Sequence, residues 1–333
     1  MTRYRMPAEW EPQSAVWLAW PHNEETWPQN LAEAQAEFVS FVEAIAESQT
    51  VQVMLPPNHE TDSRIKEIAN VSLVEIETND AWARDYAPTF VKDLATGETI
   101  AIDWYYNAWG GKYPPFAADQ QVAKKIADEL GCRHVAGGLC FEGGAVDINE
   151  QGVLLTTESC ALNANRNAGM TKSEVESILR QRLGCSKIVW LPGDPDDSQL
   201  LPGDDTDGHI DQLARFVDDE TIVHAWVAED DPRFAGLAAN VEAIRNGLPD
   251  AKLVPLMIPA TFEYCGRMIP ASYCNFLITN SSVIVPQFGV PEDEGAVDAI
   301  SKLFAGRKIV PLASRNLAVG LGSFHCLSQQ QPL

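Results

Sequence analysis

A chain of 333 residues with 45% hydrophobic and 21% charged residues has the material for a sizeable core and no compositional sign of disorder. Its net charge of −23 argues against a nucleic-acid partner, whose phosphates such a surface would repel. Two readings of that charge stay open: solubility alone, or attraction of a cationic small molecule.

From the N-terminus, "MTRYRMPAEWEPQ" lacks the apolar run of a signal peptide, and no later stretch approaches the ~18 apolar residues of a membrane span. The seven cysteines show neither CxxC pairing nor zinc-ligand spacing, so they read as reduced thiols. A cytoplasmic protein without a membrane partner is expected.

A strand-like apolar run then recurs along the chain: "NVSLVEIE" (70–77), "GCRHVAGG" (131–138), "GCSKIVWLPG" (184–193), "DAKLVPLMIP" (250–259) and "GRKIVPLAS" (306–314). Apolar residues at three- and four-residue spacing predict helices over 117–130, 171–183 and 294–304, each stopped by Gly131, Gly184 or Gly306. The segments 59–68 and 233–247 are weaker helices of the same kind. Alternating β segments at 152–159, 214–226 and 275–288 give several units more than one strand.

The runs are followed by "NDAWARD", "LCFEGGAVD", "GDDTDGHID", "ASYCNF" and "GLGSFHC", and in four of the five units a glycine, carboxylate, histidine or cysteine cluster sits where the strand would run into a loop. One residue from each (Asp85, Glu142, His209, Asn275, Cys326) marks a loose repeat of about sixty residues. Five βαβ-like units predict a single α/β domain over 1–333. They can form an open sheet with its site at the strand ends, or close into a ring that converges the loops on an axis. Periodicity leaves both geometries open; the distribution of reactive residues favours the ring.

A cysteine attacks as thiolate and needs a cation, a base or helix dipoles to become one, because its ordinary pKa is about 8.5. Histidine can give and take protons near neutral pH, and a neighbouring carboxylate would orient its ring. If 209–217 is extended, His209 and Asp211 share one face. Each cluster also has a plainer reading. "DDTDGHID" can be a solvated turn, "FEGGAVD" a Gly-Gly turn, and "WARD" a surface ion pair beside a packed tryptophan. A calcium loop is disfavoured because the twelve-residue spacing ending in glutamate is absent.

Taken together, "NDAWARDYAPTF", "NAWGGKY", "FEGGAVDINEQGVLLTTESC", "DTDGHID" and the "HC" ahead of a glutamine-rich tail resemble the agmatine deiminase family. This family is grouped with the porphyromonas-type peptidylarginine deiminases among the guanidine-modifying enzymes. The resemblance runs from about residue 5 to the end of the chain. It implies a five-bladed α/β propeller (pentein) of pseudo-fivefold units, active without metal or cofactor, and a homo-oligomer, most simply a dimer. It further implies hydrolysis of agmatine to N-carbamoylputrescine and ammonia. Cys326 would be the nucleophile, His209 the general acid/base, Glu142 its carboxylate partner, and Asp85 and Asp211 the clamp on the guanidinium. Trp82 and Trp109 would pack on the methylene chain, and Asp205 would contact the substrate. Alternatives are another guanidine substrate (arginine, peptidylarginine, other alkylguanidines) or a non-catalytic guanidinium-binding protein.

Where relatives carry consecutive glycines before the His-Cys pair, this chain has Leu321, Ser323 and Phe324, and Ala168 follows Asn167 where many carry proline. The acidic segment 193–205 leads into the "DTDGHID" motif and is expected to bear on the far end of the substrate.

Overall fold

The computed structural model describes residues 3–195, 199–259 and 262–333, so Asp196, Asp197 and Ser198 of the acidic segment lie outside the described residues. Five times the chain runs a strand, crosses over through a helix and returns in a parallel strand. The pairs are Gln13–Ala19 with Thr50–Leu55, Thr99–Tyr105 with Arg133–Cys140, and Val153–Thr157 with Lys187–Leu191; then Thr221–Trp226 with Lys252–Met257 and Ser282–Gln287 with Lys308–Ala313. The free edge of each leading strand takes a short antiparallel partner: in the same order Ser328–Pro332, Thr89–Asp93, Asp147–Ile148, Ala214–Phe216 and Leu277–Ile278. Val71–Glu75 and Tyr4–Arg5 extend the first two sheets. The sheets and one hairpin (Phe262–Tyr264 with Arg267–Ile269) stay separate, and among the described residues none closes on itself.

The fold is mixed α/β, with the repeat read from the sequence present but shifted at its start. "NVSLVEIE" is a strand, yet it is the extra fourth strand of its sheet; the return strand of the first crossover is Thr50–Leu55, after the helix Leu31–Ala46. That helix buries Phe38, Val39, Phe41, Val42 and Ile45. It contains enough alanine and apolar residues on its flanks to blur the three-and-four spacing.

The best-formed crossover shows how local sequence sets the elements. The helix Lys172–Leu183 begins at a capping box, in which Thr171 and Glu174 each bond the other's backbone N–H. It buries Val175, Leu179 and Leu183 at four-residue intervals. It ends at Gly184, whose φ is 73° and where a Cβ would lie 1.8 Å from the Tyr4 carbonyl oxygen, so both conformation and space demand glycine. By contrast the last crossover helix spans Glu292–Ser301 and stops short of Gly306; three acids in its first turn suit the helix N-terminal dipole.

The chain's last residues are held. Ser328–Pro332 pairs with Gln13–Ala19, and Phe324 is buried against Phe41 with ring centroids 4.5 Å apart. Burying a phenyl ring fully stabilises by about 1.5–3 kcal/mol, so the loop carrying Cys326 is anchored on both sides.

Candidate active site

The five clusters occupy one equivalent place in each unit. They sit in a single turn of helix or tight bend just ahead of the short antiparallel strand, not after the return strand in isolation. Asp85 lies in Ala83–Tyr86 before Thr89–Asp93, and Glu142 caps the turn Gly143–Ala145 before Asp147–Ile148. His209 caps Ile210–Leu213, which contains Asp211, before Ala214–Phe216; Asn275 closes Tyr273–Asn275 before Leu277–Ile278; Cys326 precedes Ser328–Pro332. The extended reading of 209–217 is thereby corrected. His209 and Asp211 are placed by a helical turn, not by the alternation of a strand.

These turns bring Asp85, Glu142, His209, Asp211 and Cys326 together, all buried. His209 Nδ1 lies 3.8 Å from Asp85 Oδ1 and its Nε2 lies 3.7 Å from Glu142 Oε2. Cys326 Sγ lies 3.4 Å from Asp211 Oδ2. Gly144 sits at their meeting point. A Cβ there would fall 2.5 Å from His209 Nδ1, 2.8 Å from Asp85 Oδ1 and 3.2 Å from Asp211 Oδ2, while its N–H donates to Asp85 Oδ1 at 2.9 Å. The second glycine of "FEGGAVD" is required by the space these three groups leave.

The second bond to Asp85 comes from Trp109, whose Nε1 donates to Oδ2 at 2.9 Å. The indole is aimed by an unusual backbone: residues 108 to 111 all have positive φ, Ala108 at 52° and Trp109 at 55°. Such conformations cost about 1–3 kcal/mol for each non-glycine residue. They are fixed by Asn107, which accepts from Gly110 N at 2.8 Å and donates to the Asn165 carbonyl. Burial raises Asp85 to about 6; His209 and the Trp109 bond pull it down, while Asp211 and Glu142 push it up.

Electrostatics assign the protons. Burial, the largest single influence, works against a charged His209, but Asp85, Cys160 and Glu142 together outweigh it and hold the imidazolium well above its ordinary range. Burial likewise opposes ionisation of Glu142, yet the Arg166 guanidinium, with Nε 2.6 Å from Oε1, keeps that carboxyl below its usual value. Arg166 is itself held by Asp207 at 2.7 Å, and Asp207 by Lys112 at 2.8 Å. The Cys326 thiol is pushed well above its ordinary range by burial first, then by Asp211 and Asp85, with the Asn275 amide acting the other way. The site therefore pairs a protonated thiol with a cationic imidazole.

Beneath the site runs a buried charge lattice. His325 bridges Asp211 Oδ2 (2.7 Å) and Glu9 Oε2 (2.9 Å). Glu9 also accepts from Arg215 Nη2 at 2.7 Å and from Ile278 N at 2.8 Å, and burial, although it raises carboxyls, is overridden here by Arg215 and His325. Arg84 Nη1 donates to Gln330 at 2.6 Å, which ties the glutamine-rich tail to the loop carrying Asp85. Sequence reasoning does not single out Glu9, Arg166 or Arg215. Each is one charged residue in an ordinary-looking stretch, and only the fold shows that it is buried against a complementary charge. Asn275 marks the fourth unit's position in the sequence, which assigns it no chemistry.

The cluster opens onto a cavity of about 670 Å³ whose wall includes Cys326 and Asp85. Trp82 and Trp109 line it, as does Asp205, whose carboxyl burial raises to about 6 beside the Tyr113 hydroxyl. Asp80, raised to about 6 by burial, and Asp119 lie in the same wall. Trp82 packs on Trp27 at 5.5 Å and fills the space over Gly322, where a Cβ would lie 2.4 Å from its ring. The departures in the cysteine loop separate cleanly. Leu321 faces the cavity and keeps a left-handed φ of 76°, Ser323 bonds Ser314 at 2.6 Å, and Phe324 turns into the core.

Among the described residues Glu142, Cys160 and His209 place three potential metal donors within 4.8 Å of one another. The set does not fit a cation. Glu142 is already neutralised by Arg166, burial keeps the Cys160 thiol protonated, and His209 carries a proton.

The sequence profile of the Porphyromonas-type peptidyl-arginine deiminases matches residues 5–332. The agmatine deiminase of Ectopseudomonas mendocina is 34% identical over 99% of this chain and 95% of its own. An agmatine deiminase of C. jejuni, solved with substrate bound, has a TM-score of 0.90 at 31% identity, covering 98% of this chain and 96% of that one. The Enterococcus faecalis agmatine deiminase gives 0.88 at 29% identity over 99% and 96%. A likeness that spans both chains nearly end to end places this chain in the Porphyromonas-type peptidyl-arginine deiminase family.

Proposed function

We propose that this protein is an agmatine deiminase that hydrolyses agmatine to N-carbamoylputrescine and ammonia. The observation that carries the reading is the convergence of a thiol, an imidazolium and two clamp carboxylates around Gly144 at the end of an acid-walled cavity. The full-length likeness to named agmatine deiminases supports it.

A planar guanidinium suits this site, because Asp85 and Asp211 can take its N–H donors and leave the central carbon facing Cys326. The charges bearing on the Cys326 sulfur are those of Asp211 and Asp85, so the positive charge of a guanidinium between them favours the thiolate. The Cys326 Sγ lone pair forms the C–S bond, and the C–N bond to one terminal nitrogen breaks. That nitrogen takes a proton from His209 and leaves as ammonia. Water then adds to the amidino-thioether carbon while His209 takes its proton. The C–S bond breaks back to Cys326, leaving the ureido product. The thiol proton, released to solvent as the thiolate forms, is returned by the hydroxyl proton of the water adduct as the C–S bond breaks, so the steps balance over Cys326, His209, substrate and water and call for neither metal nor organic cofactor.

The cavity wall favours agmatine over arginine. It carries Glu24, Glu25, Asp80, Asp85, Asp119 and Asp205 against two cations, Lys112 and Arg267. Lys112 is paired with Asp207 and Arg267 Nη1 is taken by the carbonyls of Thr26 and Val319, so the wall offers the far end of a substrate more carboxylates than cations. We assign Trp82 and Trp109 to the methylene chain and Asp205 to the far ammonium. We further infer that the five units are the blades of one α/β propeller (pentein) forming a single catalytic domain over 1–333, a reading supported by their common strand-pairing pattern. The family resemblance supports a cytoplasmic homodimer.

Ammonia release from agmatine, arginine and a peptidylarginine substrate tests the assignment. Agmatine is expected to give the highest kcat/KM, and a higher value for either other substrate overturns agmatine as the substrate.

A further inference from the structure

Directly after the turn that aims Trp109 come two adjacent residues, Lys112 and Tyr113, and both reach across the cavity wall to Asp205. Lys112 Nζ donates to the backbone carbonyl of Asp205 at 2.6 Å and to Asp207 Oδ1 at 2.8 Å. The Tyr113 hydroxyl hydrogen-bonds the Asp205 carboxylate. One aspartate is thereby held at its main chain and at its side chain by consecutive residues of another segment.

The grip has a firm base. Asp207 Oδ2 accepts from Arg166 Nη1 at 2.7 Å and from Asn165 Nδ2 at 3.0 Å, so the Lys112 ammonium is tied into a network and not to a single surface partner. Gly110 lies against the same two residues: a Cβ there would fall 2.5 Å from Asn165 Nδ2 and 2.9 Å from Arg166 Nη1. At the other end of the segment, Trp109 meets the Tyr113 ring edge to face with centroids 5.8 Å apart, and its indole donates to Asp85. Residues 109–113 therefore join a guanidinium carboxylate to the acid at the far end of the cavity through hydrogen bonds and one ring contact.

From this geometry we propose that Lys112 and Tyr113 are positioning residues that fix the span between Asp85 and Asp205, and so select substrates by the number of methylenes between guanidinium and ammonium. A loosely held acidic wall would attract any dication. A carboxylate held at a set distance from the clamp rewards one chain length, because only that length satisfies both ends with the guanidinium carbon still facing Cys326. The inference rests on the agmatine reading, with Asp85 at the guanidinium and Asp205 at the far ammonium.

The test is ammonia release by the wild type, Lys112→Met and Tyr113→Phe from a homologous series of ω-aminoalkylguanidines with three to six methylenes. Inhibition by butylguanidine, which lacks the ammonium, is measured beside it. In the wild type one length should exceed its neighbours in kcat/KM by about tenfold or more. In Lys112→Met that length should lose about tenfold, and its advantage over the neighbouring lengths should shrink to about threefold. Tyr113→Phe removes only a hydroxyl and should move the profile the same way by a smaller factor. Ki for butylguanidine should stay within about twofold, since that molecule has no group to meet Asp205, and Tm should hardly move, since the Lys112 ammonium is part-exposed. Variants whose length profiles overlay the wild type overturn the proposal, as does a wild type indifferent to chain length. An equal loss across the series and with butylguanidine marks a merely structural role and overturns it too. Turnover of none of the series by the wild type overturns the agmatine reading, and this inference with it.

Discussion

Arg166 Nε donates to Glu142 Oε1 at 2.6 Å, and neither side chain has any exposed surface. This pair keeps the carboxylate that faces His209 ionised, so the proposed acid/base depends on a residue outside the proposed reacting set. In Arg166→Met, Glu142 is left buried without its partner, which costs about 3–5 kcal/mol. The sign with pH follows from the depressed carboxyl. In the wild type the pair contributes stability above the unfolded value near 4.5, and that stability is lost as pH falls through the lower folded value. The wild type should therefore exceed the variant in Tm most at neutral pH, with the gap closing in acid as pH falls below the unfolded value near 4.5. Ammonia release should fall by about 100-fold or more.

Gly144→Ala puts a methyl group where His209, Asp85 and Asp211 converge, 2.5 Å from His209 Nδ1. Overpacking of this kind costs about 1–3 kcal/mol in stability. The loss of activity should be much larger than the loss of Tm suggests, because the displaced groups are the ones proposed to bind and protonate the substrate. A kcat within about threefold of wild type would contradict the geometry.

Three cavity carboxyls, Asp80, Asp85 and Asp205, titrate at about 6 because burial raises them. A cationic substrate needs them ionised. The acid limb of log kcat/KM should therefore bend near pH 6 and fall with a slope steeper than one. Trp109→Phe removes the Nε1 bond that favours the ionised Asp85. Its acid limb should move to higher pH, while the alkaline limb stays in place. A shift to lower pH would contradict the assignment of that bond.

Phe324 marks the limit of what a departure from the family pattern implies. Its ring packs on Phe41 in the core and not in the cavity, so Phe324→Ala should cost about 3–5 kcal/mol of stability. Leu321 does face the cavity, and Leu321→Gly should change KM for agmatine with a much smaller effect on Tm. Thermal unfolding and steady-state kinetics on the two variants separate these outcomes.

Much of the repeat is legible in the sequence because its crossover helices are amphipathic and stopped by glycine, as at Thr171 to Gly184. The first unit is misplaced there because the Leu31–Ala46 helix is apolar over much of its surface and because a fourth strand follows its return strand. The charged and thiol members of the candidate site are legible since Asp85, Glu142, His209, Asp211 and Cys326 stand in glycine-rich or acidic strings that recur along the chain. The groups that tune them are not. Arg166, Glu9 and Arg215 act through partners distant in sequence, such as Glu9 with Arg215, and only packing discloses the pairing. The His209 turn reads as extended because a strand, Ala214–Phe216, begins directly after it.

Ammonia release from agmatine by the wild type and by Cys326→Ala, measured side by side at pH 8, bears on the nucleophile itself. The wild type should release ammonia continuously and the variant should release none above the uncatalysed rate. Equal release by the two proteins would contradict covalent catalysis through Cys326.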